Sequence, residues 1–492
     1  MVDSDEARKP PLAILPTVVC HIKYRTAMKI KTSFLITFLL LFNTVFGQKE
    51  PIINITFSKL LATYDFIQKL SDNYPDNEYK QTFQSSEFST QHYSELVNQL
   101  DTLNIYESYD FQGYPTGQKI PFTTTFLIKK NLINSLSIQE FKKQTFGIIP
   151  NTELFAFSYI LSEFEPIYDS LIYNPNKDNF EKQLNELKDF VQKSNLSDYF
   201  QTGLTFYGSP WDYSIPIDIA IIPSIKKRGF TATAFLNNAV SEVPIDFKGN
   251  DILFSVLMHE IYHNIYDGQP LELKQKIQFW FKNNNSQNSQ YALLLLNEAL
   301  ATALGNGYVY EQLNGKPDES DWYNMKYINL MAKQMYPLVK EYISQKKSMD
   351  ENFVDQYIAL YDNHFSDWIN ELDNLFSNRF VIADNREELS FFNKNYRPAG
   401  FVSSMTPVNQ NSLERMKETP YTKVIVISSD HNNTLNLIKT IFPELKEWKY
   451  KVKNEFVYTT DLQDKTKLII VNKHSSTLDE LFDKNLKNGR IK

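Results

Sequence analysis

The sequence predicts an α+β fold that is predominantly helical, with a small α/β module at its C-terminal end. Apolar residues recur at helical spacing in residues 151–164 and 178–193, which is typical of helices that bury one face. Apolar and β-branched runs at residues 217–222 and 230–240 instead predict two neighbouring strands. From about residue 420, strand-like and helix-like segments alternate, as in a small α/β unit.

The composition is that of a globular protein and argues against several other classes. Of the 492 residues, 42% are hydrophobic and 22% are charged, which is unlike a mostly disordered chain. The formal net charge of -7 argues against a nucleic-acid-binding protein, because such a protein carries a basic surface. Because Cys20 is the single cysteine, any metal site must be built from histidine and carboxylate side chains.

Residues 1–47 are predicted to be an upstream extension followed by a secretory signal peptide. Met28 is followed by lysines and then by an apolar run over residues 34–42, and Val45 and Gly47 stand where a cleavage site requires small residues. The apolar run is much shorter than the roughly 20 residues of a membrane-spanning helix. We therefore expect a secreted or periplasmic protein, cleaved near Gly47 and without an integral membrane segment.

The rest of the chain is predicted to fall into three parts. Residues 48–205 form a mainly helical region, residues 206–390 hold the chemistry and the helices that follow it, and residues 391–492 include the α/β module. Helices are expected over residues 250–267, 271–282 and 291–304, with two or three more between 320 and 380. Asn250 or Asp251 is expected to cap the first of these. In the module we expect strands at 424–427 and 468–471 and helices at 434–442 and 477–486.

The strongest functional signal is an HExxH motif formed by His259, Glu260 and His263. Residues i and i+4 share one helical face, so both imidazoles can reach one metal ion. Glu260 lies beside them and can polarise a water molecule at the metal. With only 7 histidines in the chain, a chance match to this spacing is rare.

A catalytic site of this kind needs a third protein ligand and leaves the fourth position for water. Glu298 is the best candidate, because it and Asn297 are the strongly polar residues of an otherwise apolar helix. A buried carboxylate must be paired or bound to a metal. Small residues such as Gly305 would let this helix pack closely on the motif helix. Asp267, at the end of the motif helix, and the distant His364 are alternative third ligands.

These residues resemble the gluzincin-type zinc metallopeptidases, in which a downstream helix with an NExxA-like stretch supplies a glutamate to the metal. The matching residues are His259, Glu260 and His263, followed by Asn297, Glu298 and Ala301. The resemblance covers residues 215–305, and the segment between the two motifs is longer than in the best-known members. It implies a zincin-like core in which residues 230–240 are the edge strand that pairs with an extended peptide.

The resemblance also implies an activity. Zn²⁺ would be bound by His259, His263 and Glu298, and the protein would hydrolyse a peptide bond in a peptide or protein substrate. The metal would activate a water molecule, and Glu260 would act as the general base that later passes the proton to the leaving amine.

A donor to the developing oxyanion is also required. Tyr308, Tyr310 and His364 are chemically suitable, although no spacing argument selects among them. Two alternatives remain: a non-catalytic exported binding or scaffold protein on a peptidase-like fold, and a zinc amidase that acts on a cell-wall bond. The presence of Glu260 favours an enzyme.

Overall fold

A computed structural model of the protein describes residues 50–109, 112–115, 122–226, 231–487 and 490–491. Most of these residues are helical, and two larger mixed β-sheets account for most of the strands. The predicted α+β, predominantly helical class is therefore confirmed. The predicted upstream extension and signal peptide, residues 1–47, lie outside the described residues.

The N-terminal part contains a first short strand and then a layer of helices. A π-helical turn, Asp169–Tyr173, joins two of these helices, and the helices predicted at 151–164 and 178–193 are both confirmed and longer than expected. The elements are β1 (Ile53–Thr56), α1 (Lys59–Leu70), α2 (Glu78–Gln84), α3 (Gln91–Thr102), β2 (Ser108–Tyr109), β3 (Phe122–Thr123), α4 (Thr124–Asn134), α5 (Ile138–Thr145), α6 (Asn151–Tyr168), α7 (Asn174–Lys193) and α8 (Leu196–Tyr207).

The central part contains three further strands and then only helices. Its elements are β4 (Ile217–Ser224), β5 (Thr231–Phe235), β6 (Asn238–Pro244), α9 (Asn250–Asp267), α10 (Leu271–Asn283), α11 (Ser289–Thr302), α12 (Tyr310–Asn314), α13 (Lys326–Ser344), α14 (Glu351–Phe365) and α15 (Leu372–Leu375). A π-helical segment, Ala303–Val309, joins α11 to α12. The helices predicted in this part are confirmed, and we call α9 the motif helix. Its N-cap is Gly249, without a side-chain hydrogen bond, so the predicted cap at Asn250 or Asp251 is wrong.

The first sheet has the strand order β1-β4-β6-β5, with β5 antiparallel to β6 and the other pairs parallel. The run predicted as one strand over residues 230–240 is therefore a hairpin, and that prediction is wrong. Leu236 takes up a φ of 55° between the two strands, a conformation that a bulky residue seldom adopts, and the chain reverses there. As a result, β5 forms one edge of the sheet, and β1 forms the other.

Helices cover this sheet on both faces. Ile217, Ile219 and Ile221 of β4 belong to one hydrophobic core together with the motif helix. Ala220 and Ile222 belong to a second core, formed with helices α1 to α6. Because successive strand residues point to opposite faces, a strand buried on both sides is apolar throughout. This explains the continuous apolar run in the sequence.

The C-terminal part forms the second sheet, with the strand order β10-β11-β9-β7-β8, in which only β10 is antiparallel to its neighbour. The strands and helices predicted for the module are confirmed. The elements are β7 (Arg379–Ala383), α16 (Arg386–Asn395), β8 (Val402–Met405), α17 (Gln410–Lys417), β9 (Thr422–Ile427), α18 (His431–Ile441), β10 (Phe456–Asp461), β11 (Lys467–Asn472), α19 (Leu478–Asn485), β12 (Leu486–Lys487) and β13 (Arg490–Ile491).

The second sheet shares a hydrophobic core with the motif helix. Val381 and Val424 face that core, whereas Phe380 and Ile425 face a separate core with α17 and α18. The chain from residue 51 onward forms one compact unit, and the predicted boundaries after residues 205 and 390 remain predictions. No helix within the described ranges is both long enough and apolar enough to cross a membrane.

A buried ion pair fixes helix α1 to the first sheet beside the edge strand. Glu242 of β6 is 5% exposed. Its carboxylate lies 2.7 Å from Lys69 Nζ and accepts hydrogen bonds from Tyr79 Oη at 2.8 Å and Lys226 Nζ at 3.2 Å. Burial raises the pKa of Glu242, but the two lysines outweigh burial and lower that pKa to about 2.

We expect this ion pair to make the protein less stable in acid. The pKa of Glu242 falls from an ordinary value of about 4.3 in the unfolded chain to about 2 in the folded protein. The carboxylate therefore contributes stability above the unfolded pKa, and this contribution is lost as the pH falls towards 2. Glu242→Gln removes one of the two carboxylates that pair with the buried Lys69, while Asp65 stays paired with it. It should lower the free energy of unfolding by about 2 kcal/mol at pH 7, as the loss of a hydrogen bond to a charged group does.

Urea unfolding at pH 7 and pH 3 measures this effect, and the variant should lose less stability between the two values than the wild type. The control is Glu272→Gln, because the Glu272 side chain is 80% exposed while also paired with a lysine. An equal loss of stability in acid for Glu242→Gln and wild type would contradict the prediction.

Candidate metal centre

The motif helix presents two buried imidazoles on one face. His259 and His263 are 5% and 6% exposed. They stand one helical turn apart, so their side chains meet on the same side of the helix. The two Nε2 atoms are 3.0 Å apart. The four-residue spacing in the sequence therefore places two ring nitrogen atoms so that both face one point.

Helix α11 brings Glu298 to the same point. Its Oε2 atom lies 3.6 Å from His259 Nε2 and 3.5 Å from His263 Nε2. This oxygen is buried and has no hydrogen-bond partner among the described residues, an arrangement that is costly for a carboxylate. The ligand atoms of the three residues all lie within 4.8 Å of one another. The group can therefore hold a metal ion.

The alternative third ligands do not join this group. Asp267 lines the same cleft, but its carboxylate is outside the set of converging atoms found among the described residues. His364 lies near the end of α14, where its Nε2 atom is 3.2 Å from Gln334 Nε2 in an exposed contact. The geometry favours Glu298 over both.

Two asparagines orient the imidazoles. Asn306 Oδ1 lies 3.0 Å from His259 Nδ1, and Asn297 Oδ1 lies 3.0 Å from His263 Nδ1. An amide oxygen only accepts hydrogen bonds, so each Nδ1 carries a proton, and in the neutral imidazole each Nε2 directs a lone pair towards the centre. Two lone pairs and a carboxylate oxygen at this distance repel one another unless a cation, either a proton or a metal ion, lies between them. The donor set fits a metal ion.

The π-helical segment after α11 holds Asn306 in place. π-Helical turns are rare and are often found at functional sites. Within this segment, Gly305 lies directly on the motif helix, and a Cβ atom there would be 2.7 Å from the backbone N and Cα of His259. No side chain fits without displacing the backbone that carries the first histidine. The close packing expected from the small residue at this position is confirmed.

Glu260 lies between the motif helix and the edge strand. It is 5% exposed, and its carboxylate accepts a hydrogen bond from the backbone N–H of Ala234 in β5. Burial raises the pKa of Glu260, whereas the charges of His259 and His263 lower it. The site thus places a carboxylate that can accept a proton next to the converging ligand atoms.

The charges in the centre are coupled. Burial lowers the pKa of His263, but the carboxylates of Glu298 and Glu260 outweigh burial and raise that pKa to about 9. Burial raises the pKa of Glu298, but the two histidines hold it well below its ordinary value. A metal ion that binds here must therefore displace a proton, which makes its affinity pH-dependent.

The group opens onto a cleft with a volume of about 1090 Å³. Residues 231–234 of β5 form one wall, and Leu293 and Leu294 of α11 contribute to another. The loop between α12 and α13, the loop before β8 and residues around β3 and the start of α4 also line the cleft. A cleft of this size is large enough for a ligand of several residues.

Tyr323 and Arg397 also line the cleft, and neither was predicted from the sequence. The Tyr323 ring stacks on His259 with 6.0 Å between the ring centroids, and the Glu298 carboxylate acts on its hydroxyl. Burial and the Glu298 carboxylate raise the pKa of Tyr323, while the Arg397 charge lowers it. The net rise keeps the hydroxyl protonated, so it can act as a donor.

The structure does not bring the predicted oxyanion donors to the cleft. Tyr308 packs edge-on against Tyr199, with 6.5 Å between the ring centroids. Neither Tyr308, Tyr310 nor His364 is part of the cleft lining. The tyrosines that line the cleft are instead Tyr106, Tyr266 and Tyr323.

Comparisons with known proteins found no match, so the interpretation of the site rests on its geometry. No protein-family model, no curated protein and no solved structure matches the chain.

Proposed function

We propose that this protein is an exported zinc-dependent peptidase that hydrolyses peptide bonds in a peptide or protein substrate. The observation that carries the proposal is the convergence of His259 Nε2, His263 Nε2 and Glu298 Oε2 beside the buried Glu260. The cleft in front of them has an edge strand along one wall. Export rests on the signal-peptide pattern of residues 28–47.

The donor set supports zinc as the metal. Three protein ligands, two imidazoles and one carboxylate, are typical of catalytic zinc, which keeps its fourth position open. Magnesium and calcium prefer ligand sets made of oxygen atoms, and this group has two nitrogen atoms out of three ligands. The asparagine partners of both histidines supply the outer hydrogen bonds that zinc-binding imidazoles usually make.

The chain's own residues account for the proton transfers. When bound, Zn²⁺ supplies Lewis acidity, which lowers the pKa of water and polarises a carbonyl group. Glu260 accepts the proton of the attacking water on a carboxylate oxygen and passes it to the nitrogen of the leaving amine. The hydroxyl of Tyr323 donates a hydrogen bond to the oxyanion that develops on the substrate carbonyl.

The edge strand supports a peptide as the substrate. β5 pairs with β6 alone among the described strands, so its other edge can add an extended peptide through main-chain hydrogen bonds. Residues 231–234 of this strand line the cleft, and Ala234 of the same strand contacts Glu260. A peptide bound along β5 would pass in front of the general base.

The test is metal removal and replacement on the purified protein. We expect about one zinc ion per chain, loss of peptide hydrolysis after dialysis against a chelator, and recovery after Zn²⁺ is added back. Zinc content is measured by mass spectrometry of the metal, and hydrolysis by mass spectrometry of a hexapeptide pool. A protein that binds no zinc would overturn the proposal. Zinc binding without hydrolysis of any peptide would instead favour a non-catalytic binding protein.

A further inference from the structure

The cleft contains one cationic side chain among the Lys and Arg residues of the described part of the chain. That side chain is Arg397, in the loop between α16 and β8. Four acidic residues share the lining, namely Glu260, Asp267, Glu298 and Asp321. Arg397 is exposed, and its guanidinium has no ion-pair partner among the described residues. A lone cation in a substrate cleft is available to bind an anionic group.

Hydrogen bonds hold the backbone that presents Arg397. On one side, the buried Arg379 donates from Nη1 to the carbonyl of Tyr396 at 3.2 Å. On the other side, the N–H of Ala399 donates to the carbonyl of Ser377 at 2.9 Å. The two residues that flank Arg397 and Pro398 are thus attached to the start of β7.

The next part of the loop is equally constrained. The N–H of Phe401 donates to Asn378 Oδ1 at 2.8 Å. A Cβ atom at Gly400 would lie 2.5 Å from the same oxygen, so the loop approaches Asn378 as closely as a glycine allows. Because the backbone is held, only the side chain of Arg397 has to be ordered when it binds a ligand, which limits the entropy lost on binding.

Arg397 also lies near the metal group. Its charge acts on the hydroxyl of Tyr323, and the Tyr323 ring stacks on His259. Arg397 and the converging residues His259, His263 and Glu298 line the same cleft. A substrate that fills the cleft can therefore meet both.

We propose that Arg397 binds a carboxylate of the peptide substrate and so selects peptides that present one on this side of the scissile bond. The proposal rests on the proposed peptidase function. A guanidinium can bind a carboxylate through two parallel hydrogen bonds. The acidic residues of the lining cannot bind a carboxylate in this way. The carboxylate comes either from the C-terminus of the peptide or from an acidic side chain.

Three pools of hexapeptides with free amino ends separate these sources. The first pool lacks Asp and Glu and has free C-terminal carboxylates, the second has the same sequences as C-terminal amides, and the third is amidated but contains one Glu. With zinc-loaded wild type, we expect kcat/KM to be roughly 10- to 100-fold higher for one carboxylate-bearing pool than for the second, as hydrogen bonds between charged groups contribute. The preferred pool identifies the source.

Arg397→Gln should remove this preference, mainly through KM, while Arg386→Gln should keep it. Arg386 is an exposed arginine of α16, outside the cleft lining, and serves as the matched control. Equal rates for all three pools in the wild type would overturn the proposal and leave the peptidase function intact. A preference that survives in Arg397→Gln would also overturn it.

If zinc-loaded wild type hydrolyses none of the pools, the peptidase function is wrong. The role of Arg397 is then tested separately, by peptide binding. Equilibrium dialysis then measures how much of each pool is retained by two zinc-loaded proteins, Glu260→Gln and the double variant that also carries Arg397→Gln. Retention of carboxylate-bearing peptides that depends on Arg397 supports the proposal, and equal retention of all pools overturns it.

Discussion

Replacing Glu260 with Gln is expected to lower the turnover of the zinc-loaded protein by roughly 100- to 10,000-fold, while its zinc content stays unchanged. The substitution keeps the shape of the side chain and an oxygen that can accept the hydrogen bond from the N–H of Ala234. It removes the ability to take a proton from water at neutral pH. Since Glu260 is not among the converging ligand atoms, the metal group should remain intact.

The measurement pairs peptide hydrolysis with zinc analysis on the same preparation. Glu272→Gln is the control, because it makes the same change at an exposed position on α10. Turnover that is unaffected in Glu260→Gln would remove Glu260 from its proposed role. If Glu260→Gln loses zinc as well as turnover, the residue supports the metal site and the separation of roles proposed here is wrong.

Glu298→Ala is expected to weaken zinc binding by roughly 100-fold or more, because even residues that only orient metal ligands contribute 10- to 100-fold. The change leaves His259 and His263 as two ligands without the third. It also removes a carboxylate that raises the pKa of His263, so His263 should stay neutral to lower pH. A competing chelator of known affinity measures the zinc dissociation constant.

Two further variants make this test specific. Asp267→Ala should keep wild-type zinc affinity, because the Asp267 carboxylate lies outside the converging group. The zinc affinity of Asn306→Ala should lie between those of Glu298→Ala and Asp267→Ala. We expect it to be lowered by about 10- to 100-fold, because Asn306 holds His259 through Nδ1. Unchanged affinity in Glu298→Ala together with a loss in Asp267→Ala would show that the third ligand is Asp267.

The parts of the centre that follow a helical period could be predicted from the sequence. His259 and His263 are four residues apart on one helix, and Glu298 is conspicuous because a carboxylate is unusual in an apolar helix. Asn306 was not predicted, since it depends on a π-helical segment that breaks the ordinary spacing. Its position became apparent only from the contact with His259 Nδ1.

Tyr323 and Arg397 could not be predicted for a different reason. Both lie in irregular loops, where no periodicity relates a residue to a face. With 29 tyrosines in the chain, nothing in the sequence singles out one of them. The hairpin was missed because its positive φ falls on Leu236, a residue type that seldom marks a turn, rather than on the neighbouring Asn237.

The parallel pairing of β1 with β4 has a consequence for the order in which the protein can fold. Asn54 Nδ2 donates to Asp218 Oδ1 at 2.8 Å across 164 positions of sequence, and this loop must close before the sheet is complete. During synthesis, β1 leaves the ribosome long before its partner exists. The N-terminal helices can assemble early, but β1 has no partner until β4 is made, and the edge of β4 stays open unless the two strands pair. An open strand edge is a site for association with other chains, so a truncation that removes residues 51–58 should leave a chain that aggregates during folding.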